Sequence, residues 1–160
     1  MTTGKIGQIK RLQALAQARL KRAEAQLSVA HQLYQQRQDT AKQAEADFDS
    51  LTERADSYVS ERFLDMGETT DPANAFTGII AGASEARKVA ASAELTAVRS
   101  QTRVKEAQGE RTSAARICQA LSNRRDRLER LSVEEKRILE RRLNLAAEDE
   151  VAEMAGWRMS

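Results

Sequence analysis

From Gln8 to Met66 the chain contains neither Gly nor Pro. An unbroken stretch of this length exceeds an ordinary globular helix and any strand. Sandwiches, barrels and α/β domains need frequent turns. The seven Gly and one Pro of this 160-residue chain are too few to supply them. Ala, Glu, Lys, Leu and Arg make up about half of the residues, the composition of a long helix or coiled coil wherever the apolar positions are periodic. Leu, Ile, Val and Phe make up only about a fifth, near the limit below which a compact core cannot form.

The periodicity is present. One heptad column reads Ile6, Gln13, Leu20, Leu27, Tyr34, Ala41, Phe48, Ala55 and Arg62. A second, three residues on, reads Ile9, Ala16, Ala23, Ala30, Arg37, Ala44, Leu51 and Tyr58. Alternating steps of three and four keep such a stripe facing one partner helix.

The breakers then cluster. Gly67 suits the position just past a helix end, where a left-handed backbone is needed. Asp71–Pro72 reads as an N-cap followed by Pro in the first turn. Gly78 and Gly82 come soon after, and Ser84 offers an alternative start. A second stripe runs Ala86, Ala90, Ala93, Ala97, Ser100, Val104, Ala107, Arg111, Ala114, Cys118 and Leu121. Beyond it, the larger apolar residues favour Ile117, Leu121, Leu128, Leu131, Ile138 and Leu145. That predicts a register shift near 114–121, just after Gly109.

The expected architecture is all-α, an antiparallel two-helix coiled-coil hairpin over residues 1–160. Helix one covers about 6–66, the turn about 67–83 and helix two about 84–156. The length is on the order of 100 Å. Helix two is the longer, so about 139–157 is expected to project beyond the N-terminus. The seam is thin, because an Ala layer buries little area at about 0.8 kcal/mol per CH₂. Arg37 and Arg111 fall on it and are expected to snorkel to water. A monomer is expected ahead of a dimer or bundle.

Charge is unevenly spread although the net is +2. Residues 1–37 carry seven cations and one anion, and residues 38–75 carry three and ten. Residues 76–130 carry eleven and six, and residues 131–160 five and seven. The turn end of a hairpin is then acidic and the shaft toward the open end basic, which suits a different partner at each end. A solvated helix surface laced with i,i+4 pairs accounts for part of this pattern.

No catalytic constellation is visible, so no enzyme, cofactor or metal is expected. His31 lies beside the seam, and Cys118 falls on it as a small hydrophobe. One Cys fits a reducing compartment and excludes a disulfide framework. Gly78-Ile-Ile-Ala-Gly82 and Gly4-x-x-Gly7 lack the membrane or phosphate-loop setting that would give such spacings meaning. Interleaved acids and six aromatics argue against nucleic acid. The longest apolar run, Ile79–Ala83, is far too short to span a membrane, and no secretory leader is expected.

Protein contacts remain. Tyr58, Val59, Phe63, Leu64, Met66, Phe76, Ile79 and Ile80 gather near the turn, more than a two-helix tip can bury. Leu12, Leu15, Val29 and Leu33 lie off the seam. With Leu139, Leu143, Val151, Met154 and Trp157 they leave the open end with surplus apolar surface.

The segment Ile9-Lys-Arg-Leu-Gln-Ala-Leu-Ala-Gln-Ala-Arg-Leu-Lys-Arg-Ala-Glu and the basic-then-acidic Arg141-Arg-Leu-Asn-Leu-Ala-Ala-Glu-Asp-Glu-Val-Ala-Glu, within one Ala/Gln/Arg/Glu-rich hairpin, resemble the FliJ/YscO family. These are the central stalk proteins of type III secretion and flagellar export ATPases. The resemblance implies a non-enzymatic cytoplasmic stalk, peripheral to the inner-membrane secretion apparatus. Its paired termini would enter a hexameric export ATPase, and its other end would reach the export gate or bind export chaperones. The off-seam leucines and the basic surplus of the open end make Leu12, Leu15, Lys21, Arg22, Arg124 and Arg125 candidates for contact with the ATPase ring. Tyr58, Phe63 and Phe76 are candidates for contact with the gate or chaperones. A coiled-coil adaptor or chaperone-like clamp, and an oligomeric structural stalk, are the alternatives from other classes.

Overall fold

The computed structural model describes residues 2–67 and 71–157, with side chains over 4–67 and 71–154. It contains two α-helices, α1 (Thr2–Asp65) and α2 (Pro72–Trp157). No strand is present among the described residues.

The helix ends follow local chemistry. Met66 N–H donates to the Phe63 carbonyl at 3.3 Å, tightening the last turn of α1. Gly67 then takes φ +43°, a left-handed backbone that a Cβ would penalise. Across the turn, Asp71 caps α2: its Oδ1 accepts from the Asn74 N–H at 3.2 Å. Its carbonyl accepts from the Ala75 N–H at 3.2 Å, and Pro72 occupies the first helical position. Helix α2 therefore starts well before Ser84, and residues 72–83 are helix rather than turn. A helical Gly costs about 1 kcal/mol relative to Ala. Gly78 and Gly82 are carried because Ile79 and Ala83 beside them are buried.

The seam of α1 follows its two columns. Every position from Ile6 to Tyr58 in them is buried or half-buried, and Arg62 alone among them is exposed. In α2 one heptad column pair runs without interruption from Ile79 to Leu139. The expected register shift does not occur. Past Leu121 the seam continues through Arg125, Leu128, Ser132 and Glu135. Ile117, Leu131, Ile138 and Leu145, expected on the seam, are exposed. The helical period holds the seam in place, and the large apolar residues sit in the column beside it.

Contacts divide the chain into two compact units. The terminal unit comprises Met1–Ser28 and Ser113–Ser160. Its best-buried positions are Ala16, Leu20, Ala23 and Ser132, with Leu20 only 2% exposed. Gln13 Nε2 donates across the helix pair to the Leu128 carbonyl at 3.3 Å. From Glu140 to Met154 every side chain is exposed, as expected of a segment outrunning its partner; the Trp157 side chain lies outside the described residues.

The turn unit comprises Val29–Thr112. Its buried positions are Ala41, Ala55, Ile79, Ala83, Ala90, Ala97, Ser100 and Ala107, nearly all small. Small residues allow close backbone approach but bury little area. Arg111 is half-buried on the seam. Its guanidinium carbon sits 4.4 Å from the Tyr34 ring centroid, because both side chains occupy the seam and the aromatic face offers the cation a partner. Arg37 is half-buried.

Candidate docking surfaces

In the terminal unit each helix has two flanks beside its seam. The flank one residue after the seam holds Ala14, Gln17, Lys21 and Glu24 on α1 and Asp126, Glu129 and Val133 on α2. These come together: Gln13, Ala14, Gln17, Arg125 and Glu129 line one open groove. Arg125 lies on the seam and is half-exposed there. It donates to Asp126 Oδ1 from Nη2 at 2.7 Å and from Nε at 3.0 Å. This hydrogen bond, with the Asp126 charge and those of Glu129 and Glu24, raises the Arg125 pKa further above its already high value. This side of the unit carries both signs of charge, with Arg125 paired to Asp126.

The flank one residue before the seam is different. It presents Leu12, Leu15, Arg19 and Arg22 on α1, and Ile117, Arg124, Arg127, Leu131, Ile138 and Arg141 on α2. All are exposed, and both flanks lie on the same side of an antiparallel pair. The five aliphatic side chains are about 36 to 52% exposed. Glu134 is the one acid of this flank between residues 117 and 141. The result is an apolar strip edged with arginine.

The structure thus brings together four of the six candidates for ring contact, Leu12, Leu15, Arg22 and Arg124. Lys21 belongs to the opposite flank, and Arg125 sits on the seam beside Asp126. Ile117, Leu131 and Ile138, seam residues on the sequence pattern, lie instead on this outer face. Carrying the heptad unbroken through Arg125 and Ser132 would have exposed them.

At the turn end, Phe63 and Phe76 pack against each other with ring centroids 5.8 Å apart and planes inclined by 50°. Both remain exposed, as do Leu64 and Ile80, whereas Ile79 is buried. Tyr58 does not join them at the surface. It lies half-buried on the seam against Gly82, with the Arg62 guanidinium carbon 5.8 Å from its ring centroid. A nearby open groove is lined by Val59, Ile80, Ala83, Ser84, Arg87, Lys88 and Ala91.

His31 is exposed and Cys118 half-buried on the seam. Among the described residues, no group of three His, Cys, Asp or Glu side chains is placed to hold a metal ion, and no helix is long and apolar enough to cross a membrane. The fold is an all-α, antiparallel two-helix coiled-coil hairpin. No protein-family model, curated protein or solved structure matches the chain.

Proposed function

We propose that the protein is a non-enzymatic stalk of a type III protein secretion system. Its terminal unit docks in a hexameric export ATPase, and its turn end meets the export gate or an export chaperone. The observation that carries this reading is the face formed jointly by the two chain ends, with exposed aliphatics set among Arg19, Arg22, Arg124 and Arg127. Apolar residues on such a face supply affinity, and cations steer association and fix orientation. The Phe63–Phe76 pair, in the acidic half of α1 and the start of α2, presents a second and chemically different contact point. The reading places the protein in the cytoplasm beside the membrane apparatus, acting as a monomer within the ring.

The test is a pull-down with the hexamer-forming ATPase, followed by an assay of its turnover. Leu12→Asp combined with Arg124→Glu should abolish ring binding and stimulation while helicity is kept. Lys21→Glu, on the opposite flank, should leave both intact. Phe63→Ala with Phe76→Ala should remove the gate or chaperone contact and spare the ring. Equal effects of the Leu12/Arg124 and Lys21 variants on ring binding would defeat the assignment.

A further inference from the structure

The α2 segment beyond Leu139 has an apolar stripe of its own. Leu143, Ala147, Val151 and Met154 recur at helical spacing, and all are exposed. Between Leu143 and Met154 there are four acids, Glu148, Asp149, Glu150 and Glu153, and no cation. Within the same unit, the face bearing Leu12, Leu15 and Leu131 is edged by Arg19, Arg124 and Arg127. One surface is an acidic amphipathic helix and the other a basic apolar strip beside a helix pair. A continuous helix cannot fold back onto its own flank, so the two cannot meet within one chain.

We propose that they meet between two copies. The segment from Leu143 to Met154 of each chain lies on the basic apolar face of the other, in a two-fold, isologous dimer. Symmetry makes each contact twice, which doubles the buried area obtained from one short helix. The segment is about 17 Å long at 1.5 Å per residue, enough to pass both Leu131 and Ile138 on the facing helix. Apolar burial holds the contact, and the opposite charges set its orientation. The dimer stands independently of the stalk reading. Its consequence rests on that reading: a dimer covers Leu12, Leu15 and Arg124, so the free protein would be held in a form that cannot enter the ATPase ring, and dissociation would release it.

The experiment uses the full chain in analytical ultracentrifugation across a wide concentration range, with circular dichroism as the folding control. The unaltered protein should show a reversible monomer–dimer equilibrium that weakens as salt is raised. Arg124→Glu with Arg127→Glu, and separately Glu150→Arg with Glu153→Arg, should each weaken the homodimer by more than about tenfold. An equimolar mixture of the two variants should form a heterodimer, because both contacts then pair opposite charges. A monomer at every concentration, a dimer indifferent to salt and to both reversals, or a mixture that fails to associate would each overturn the proposal. Salt titration of the unaltered chain reads the same claim without any variant. A monomeric result combined with intact ring binding would remove the dimer and keep the stalk. A dimer with no ring binding would do the reverse.

Discussion

The Tyr58 ring lies directly over Gly82, so close that a Cβ at position 82 would collide with the phenol end of the ring. Gly82 is therefore a packing position, whereas Gly78 and Gly109 on the same helix face open space. Replacing either of the latter by Ala should stabilise the hairpin by about 1 kcal/mol, the ordinary helix-propensity gain. Gly82→Ala should not, because the gain is offset by displacing Tyr58 from the seam. In a Tyr58→Ala background the gain at position 82 should return. Urea denaturation of the four-member cycle measures it, and a full gain from Gly82→Ala with Tyr58 present would refute the packing role.

Arg111 and Tyr34 form a cation–ring layer in the seam of the turn unit. A double-mutant cycle with Arg111→Ala and Tyr34→Leu should return a coupling of about 0.5–1 kcal/mol. Tyr34→Phe should keep most of it, since the ring rather than the hydroxyl faces the cation. A coupling indistinguishable from zero would mean that the two merely neighbour each other.

Leucines separate cleanly by position. Leu20 is 2% exposed and Leu145 60% exposed. Leu20→Ala should cost about 2–3 kcal/mol, at the low end of the usual core range because two helices can close partly over a small cavity. Leu145→Ala should stay within about 0.5 kcal/mol. Thermal melts followed by circular dichroism would show the contrast.

Thr52 Oγ1 is buried without a hydrogen-bond partner. Thr52→Val keeps the branched shape and removes the unpaired hydroxyl, so stability should rise by about 1 kcal/mol. A loss on this change, read from the denaturation midpoint, would show that the hydroxyl finds a partner in solution.

Arg124 and Arg125 are neighbours with different tasks. Arg125 is on the seam and bonded to Asp126, with Glu24 and Glu129 contributing to its field. Arg125→Glu sets like charges together and should lower the melting temperature clearly. Arg124→Glu, fully on the outer flank, should leave the melting temperature unchanged and act only on binding. Equal thermal effects would contradict the register of α2 at this point.

Much of the fold is legible in the residues themselves. Gly67 past the end of α1, Asp71–Pro72 at the start of α2 and the alternating columns from Ile6 to Tyr58 report local geometry, which depends on a handful of neighbours in sequence. The start of α2 was ambiguous because Gly78 and Gly82 lower helix propensity. The burial of Ile79 and Ala83 by the facing helix outweighs that loss. The candidate contact residues were only partly legible. Leu12, Leu15, Arg22 and Arg124 share a face, while Lys21 and Arg125 were grouped with them by charge and proximity in sequence alone.

Helical period and capping are properties of a short stretch of chain, and so the sequence by itself determined that this protein is two long helices broken after Gly67, with the start of the second left open between Pro72 and Ser84. Which column of α2 meets α1 beyond Leu121 was decided by the packed pair. Arg125, Ser132 and Glu135 occupy the seam because the heptad established upstream carries them there, and more hydrophobic neighbours are left outside. A polar residue between helices is tolerated when something on the facing helix or in water receives it. What that partner is, as Tyr34 is for Arg111, exists only once the two helices lie side by side.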